Sequence, residues 1–404
     1  MRANVPESLS GSVIWEGGPL SDSLSDTVKP PVTPEPAVAL STPEPSVVPE
    51  SSAGPVAQSD LDTARRRVRA SRLRCRAVFV GLVVVLVAVF FGSFMVGRYP
   101  IGPVELVSFL FSKVFTPDVE WPREYEVVVF TIRLPRILAA GLVGTCLSVA
   151  GLSFQALFKN PMAAPDVMGA SSGAAFGAAL AIFFHLGNVV TGVSAFVFGL
   201  VAVLIAYGLS LRMRHNPLLG MVLAGIMIGS LFNAAVSVLK LVADVDETLP
   251  AITYWLMGSV SNVKMAGLTS VLAPMLVGLA GLFAMRGRLN VLALGEDEAR
   301  SLGVNTKACR VAVVLFATLV TAASVSISGI IGWVGLVIPH FARMLVGENQ
   351  RFLMPSTMVM GAAFLMAVDD LARSVAQIDV PLGILTAFVG APFFIYLVMR
   401  KETK

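Results

Sequence analysis

Residues Arg133–Ala178 read RLPRILAAGLVGTCLSVAGLSFQALFKNPMAAPDVMGASSGAAFGA. Two arginines flank Leu134-Pro135, and behind them runs an apolar stretch long enough to cross a bilayer, for which about 20 residues suffice. Lys159-Asn160-Pro161 breaks that stretch. A second apolar run follows, opened by Gly169-Ala170-Ser171-Ser172-Gly173. Within the first run Ala140, Gly144 and Ser148 recur every four residues, which lines one helix face with small groups and lets a neighbour approach closely. The pattern predicts two helices packed inside a protein rather than a lipid-facing anchor.

The whole chain agrees with this local reading. It has 404 residues, 55% of them hydrophobic and 14% charged, with a net charge of +4. That balance describes an all-α polytopic membrane protein, with about ten transmembrane helices. The basic residues sit at the ends of apolar runs, so they speak for membrane topology and against nucleic acid as a partner. The three cysteines, Cys75, Cys146 and Cys309, lie far apart and read as small packing residues. His185, His215 and His340 form no metal-ligand pair, and no nucleophile–base constellation points to a membrane enzyme.

Residues 1–62 are rich in Pro, Ser and Glu and read as a disordered tail. The segment 63–76 carries RRRVRASRLRCR and is a basic juxtamembrane stretch, with anionic lipid headgroups as its neighbours. The positive-inside rule therefore puts the N-terminus in the cytoplasm, and residues 77–404 form the membrane domain. Its spans fall at about 77–97, 133–158, 167–185, 189–209, 218–241, 266–285, 311–328, 333–346, 355–375 and 381–399. Residues 98–132 form an outer loop, and Ile252–Ser259 is too short to span and lies at the outer interface. Both termini are then inside. Arg98, Arg133 and Arg136 are the positive charges left on the outer side, against the rule.

Arginines at an outer mouth can hold carboxylates bidentately, and Arg373, near the outer end of the ninth span, can join Arg133 and Arg136. Asp369 and Asp370 precede Arg373 by four and three residues, within reach on a helix. They serve either as a local ion pair or as an intramembrane site for substrate or protons. The second reading makes the chain an ion-coupled secondary transporter using Asp369 and Asp370.

The motifs RLPR and GLSFQALFKNPMAAPDVMGASSGA, followed by LAGI (Leu223–Ile226), WLMGS (Trp255–Ser259), LGEDEARSLGV (Leu294–Val304), GWVGLVIPHFAR (Gly332–Arg343) and PLGILTAFVGAPFFIYL (Pro381–Leu397), resemble the FecCD family. These are membrane subunits of ABC importers for iron chelates, haem and cobalamin. The resemblance runs from about Ala77 to the C-terminus. It implies a ten-helix permease of the cobalamin-importer (type II) fold that works as a homodimer in the plasma membrane, beside a cytoplasmic ABC ATPase dimer and an extracytoplasmic substrate-binding protein. It implies that Arg133, Arg136 and Arg373 dock that binding protein. It places the ATPase-coupling helices at about 289–303, with Leu292, Leu294, Gly295, Glu296, Leu302 and Gly303 at the contact, against the plainer reading of a solvated connection. It puts the cytoplasmic gate at His215, Asn216 and Pro217. The translocation path falls on Gly225, Gly229, Asn233 and Ser237, unless that face is an ordinary packed interface. The chain has no phosphate-binding GxxxxGK[ST] loop, so ATP and Mg are expected on the partner ATPase, and this chain itself is expected to bind no cofactor or metal. Ferric siderophore is the expected cargo, with haem or cobalamin next. His340 reads as shaping the inner end of the eighth span.

Overall fold

The computed structural model describes residues 55–97, 99, 101–115, 121–213, 217–375 and 378–402. The chain divides into Met1–Ser59 and Asp60–Lys404, and the helices of interest belong to the second unit. Most of the tail read at 1–62 lies outside the described residues; within it, residues 55–62 are already helical.

Every regular element among the described residues is a helix. Helix α1 spans Pro55–Ser93, α2 Pro103–Phe115 and α3 Arg123–Glu126. A π-helical turn, Val127–Arg133, leads from α3 into α4, Leu134–Phe158. A 3₁₀ turn, Pro165–Met168, opens α5, Ala170–Phe183. There follow α6 Asn188–Ser210, α7 Pro217–Val242, α8 Thr248–Leu256, α9 Met265–Leu294, α10 Glu296–Ser301, α11 Thr306–Ser328, α12 Val334–Val346, α13 Gln350–Val375 and α14 Leu382–Glu402. Seven of these segments are long and apolar enough to cross a membrane, and three shorter apolar helices, within α5, α12 and α14, complete the set of about ten.

Helix α4 is the hub, buried over most of its length and packed on α13, α11, α12 and α9. Its small residues explain the closeness. A Cβ on Gly144 would lie 2.2 Å from the carbonyl oxygen of Gly361, and one on Gly151 would lie 1.8 Å from that of Gly335. Backbones meet there with no side chain between them, so dispersion contacts replace a hydrophobic drive that lipid does not supply. Helices α5 and α6 meet in the same way, Gly173 against the carbonyl of Phe198 and Gly177 against that of Ser194.

Three boundaries differ from the sequence reading. The outer loop 98–132 contains α2 and the start of the helix that becomes the second span, which runs unbroken from Arg123. Here Pro135 has no N–H to give and its ring would crowd the carbonyl of Thr131 in a regular α-helix, and the wider π turn relieves both conflicts. Helix α9 continues to Leu294, because Arg286–Leu294 holds no proline and its Arg, Leu and Ala residues outweigh Gly287 and Asn290. The coupling segment is therefore the end of a long helix, a joint at Gly295 and one short helix, not two short helices.

The end of the molecule where α4 begins is called outer, following the charge distribution. The α4 packing makes a prediction. Gly151→Leu should prevent accumulation of monodisperse protein in detergent, whereas Gly208→Ala on α6, with nothing within 4 Å of its added Cβ, should leave yield and melting temperature unchanged. Size-exclusion chromatography with thermal melting reads both.

Candidate functional site

Arg133, Arg136 and Arg373 do gather at the outer end, and the structure buries them: they are 4%, 6% and 9% exposed. The expectation of an open arginine pair at a mouth is corrected here. Asp369, 1% exposed, sits between two of them. Arg136 Nε donates to its Oδ1 and Oδ2 at 2.9 and 3.1 Å. Arg373 Nε lies 3.2 Å from Oδ2 without hydrogen-bond alignment, so that contact is electrostatic. Arg136 Nη1 also donates to Asp379 Oδ2 at 2.8 Å, from the connection before α14. Arg373 Nη2 donates to Asp370, whose other oxygen accepts from Ser93 Oγ at 2.7 Å.

The remaining guanidinium nitrogens close the end of α1. Arg373 Nη1 donates to the carbonyls of Ser93 and Val96 at 3.2 and 3.0 Å. Arg133 donates through Nη1 to the carbonyl of Phe94 and through Nη2 to that of Tyr99. A helix C-terminus leaves carbonyls without partners and a partial negative charge, and the two arginines satisfy both. Three arginines and three aspartates, brought from three places in the chain, thus knot α1, α4, α13 and the α14 connection together. The local ion pair weighed for Arg373 is present and larger than expected. Asp369 and Asp370 are fully engaged in it, and nothing in this geometry resembles the broken helices and converging carboxylates of an ion-coupled site.

At the opposite end, Leu294 and Leu302 are 65% and 63% exposed on either side of Gly295, whereas Leu292 is 9% exposed and packs inward, a correction to its expected place on the contact face. Helix α9 carries Leu292 round to the core side of its last turn. Glu296 ties α10 to α11: its Oε1 accepts from Arg300 at 2.9 Å and its Oε2 from Arg310 at 3.2 Å. Gly303 turns the chain at φ +77°, and Asn305 caps α11 through Ala308 N–H. Asn290 accepts from Gln350 N–H at 2.8 Å and so fastens α9 to the start of α13.

The expected path residues divide. Gly225 and Gly229 are buried against the Pro165–Met168 turn and Gly169, so they belong to a packed interface. Asn233 and Ser237 are exposed on α7. Ser237 Oγ donates to the carbonyl of Asn233, four residues back. His215 and Asn216 lie outside the described residues, and Pro217 is the first residue of α7. His340 stands edge-on to Phe393 at the inner half of α12.

Ser93, Asp379 and Asn290 were not anticipated. Their partners lie 277, 243 and 60 residues away in the chain, so no local pattern announces them.

A close-packed unit of helices this long and apolar defines a multi-pass membrane protein. The chain belongs to the FecCD transport family, whose model matches residues 85–400. It is 38% identical over 325 residues to the molybdate import system permease of Haemophilus influenzae, covering 80% of this chain and 96% of that one. It is 36% identical over 347 residues to the hemin transport system permease of Yersinia pestis, covering 82% and 98%. A solved structure described as an inward-facing metal-chelate type ABC transporter superposes with a TM-score of 0.72 at 37% identity, over 80% of this chain and 99% of that one.

The outer cluster makes a prediction of its own. Asp369→Ala leaves Arg136 with Asp379 alone and Arg373 with Asp370 alone, with no anion between the two guanidinium groups, and should destabilise the protein by up to about 3–5 kcal/mol. Asp369→Asn, which keeps an acceptor for Arg136 Nε, should lose less. Thermal melting in detergent decides, and an Asp369→Ala variant as stable as the parent would show that the cluster does not hold the outer end.

Proposed function

We propose that this chain is the translocating subunit of an importer that carries a metal chelate, ferric siderophore first and haem or corrinoid next, from an extracytoplasmic binding protein to the cytoplasm. It works as a homodimer in the cytoplasmic membrane, with both termini inside and a separate ATPase pair below. The observation that carries this reading is the family match across 85–400 together with the metal-chelate type structural neighbour. The named cargoes of the relatives, molybdate and hemin, are chemically unlike, so cargo choice has to be read from this chain and its own binding protein.

Each feature takes a part in that scheme. The exposed leucines 294 and 302 flank a rigid joint braced by Glu296, which suits an apolar contact with the ATPase. ATP binding and hydrolysis on that partner bias the dimer between outward- and inward-open states, and the bias enters at this joint. Residues 215–217 form the inner gate between α6 and α7. The exposed face of α7 carries Asn233 and Ser237 among apolar residues, and an amide on such a face needs either water or a partner, since lipid offers neither. The second copy and the path between the two copies provide both. The arginine cluster serves docking indirectly: its guanidinium groups are occupied, and it fixes the shape of the outer rim on which a binding protein would rest.

Vesicles holding this chain with its ATPase and binding protein test the scheme. ATP-dependent uptake of one of ferric siderophore, haem or cobalamin is expected. Leu294→Asp/Leu302→Asp should abolish uptake while leaving melting temperature unchanged, because both side chains are already in water. Uptake that persists without ATP would return the chain to the secondary transporters.

A further inference from the structure

The turn that precedes α5 does not stay at the inner surface. Gly225 and Gly229 are the ninth and thirteenth residues of α7, about 12 and 18 Å along it at 1.5 Å per residue. A Cβ on Gly225 would lie 2.0 Å from the carbonyl oxygen of Val167, and Gly169 rests against Gly225 and Gly229. Helix α7 has 26 residues and so measures about 39 Å against a hydrocarbon layer of about 30 Å. The Pro165–Met168 turn therefore stands several ångströms inside that layer. Non-helical backbone at such depth persists only where protein covers it or water lines it.

Asp166 lies in that turn. The residues just after it, Met168, Gly169 and Ala170, are buried, yet Asp166 is exposed. Its carboxylate is held in place: Oδ1 accepts from the N–H of Ser171 at 2.8 Å, at the start of α5. The ion pairs among the described residues all lie elsewhere, so none of the described cations pairs with it. An exposed carboxylate at membrane depth cannot face lipid acyl chains, and it has to face water. The water-filled space beside α7 is the path of the proposed importer.

We propose that Asp166 is a fixed anionic group on the wall of the inner mouth of that path, and that it favours neutral or cationic metal chelates over free oxyanions. The cargo half of this inference rests on the importer reading, while the wet, charged wall does not. Like-charge juxtaposition raises the cost of an oxyanion leaving past Asp166, and a cationic or neutral chelate meets no such barrier.

Thiol chemistry in inside-out vesicles tests it. Cys75, Cys146 and Cys309 are buried, which keeps the background low. Asp166→Cys should react with both cationic and anionic water-soluble methanethiosulfonates. Met162→Cys, on the same connection and 54% exposed, reports the charge. Its cation-to-anion rate ratio should fall about fivefold when Asp166→Asn is added, the effect of one charge at about 8 Å in water. Asparagine still caps a helix, so this variant removes charge and keeps the start of α5. A thiol at 166 that takes a lipid-soluble maleimide but no water-soluble reagent would overturn the proposal, as would an unchanged ratio. ATP-driven uptake of ferric hydroxamate and of molybdate into right-side-out vesicles that hold the ATPase and internal ATP, with the binding protein outside, separates the two readings. Molybdate uptake as fast in the parent as in Asp166→Asn sinks the cargo half, and no ATP-driven uptake of any cargo sinks the importer.

Discussion

A carboxylate with almost no exposure, Asp369, lies between two guanidinium groups at the outer end of the helical unit. Desolvating three such charges costs several kcal/mol each, and the cost is met only because nearly every donor and acceptor finds a partner. Geometry therefore has to be right in four places at once. Arg136 must be aimed by the π turn, Arg373 by the last turn of α13, Asp379 by the connection to α14, and Ser93 by the end of α1. Any shift of one helix along another leaves a charge unpaired. The cluster thus sets the register of helices whose apolar faces would otherwise slide. It matters most for α1, whose membrane-spanning window is 6% buried. That helix is held at its ends: above by Arg133 and Arg373, below by Cys75 Sγ donating to the carbonyl of Val346 at 3.4 Å.

Between the ends, the stabilising principle is different. Around α4 the contacts are backbone on backbone, at Gly144–Gly361 and Gly151–Gly335. Such contacts are short in range and steep in distance, so they define a rigid centre. Helices α7 and α14 carry exposed apolar residues such as Leu223, Leu231, Phe388 and Ile395 and lie at the margin of that centre. A stiff hub with looser margins is what the proposed homodimeric importer would need.

Much of this was legible in the residues. The four-residue repeat of Ala140, Gly144 and Ser148 announced a close helix contact, and Gly144 makes it. The charges of Arg133 and Arg136 stood on the wrong side of the membrane by rule, and with Arg373 they form the outer cluster. Their burial was not legible, because the groups that consume them, Ser93, Asp369, Asp370 and Asp379, are supplied by helices whose order in space no periodicity reveals. Gly225 and Gly229 looked like path lining because small residues mark close packing and open channels alike. The position of the 165–168 turn decides between the two. Helix α9 outran its expected end because charge, which marks a membrane boundary, does not stop a helix.

One long helix runs between the two ends. Helix α13 has 26 residues and spans about 39 Å. Its first turn is fastened to α9 through Asn290 and Gln350, one short turn away from the exposed joint at Gly295, and its last turn carries Asp369, Asp370 and Arg373. Along its middle it lies against α4 with no side chain at Gly144 and Gly361 to yield. A displacement entering at α10 meets α11 through Glu296 and Arg310, and α9 through the joint at Gly295; from α9 it passes through Asn290 to α13 and so to the outer cluster. On the importer reading, ATPase contact and binding-protein contact sit at the two ends of that rod. The charges at the outer end then have a reason to be buried and satisfied rather than open: a guanidinium group free to swing would absorb the motion that a fixed one passes on.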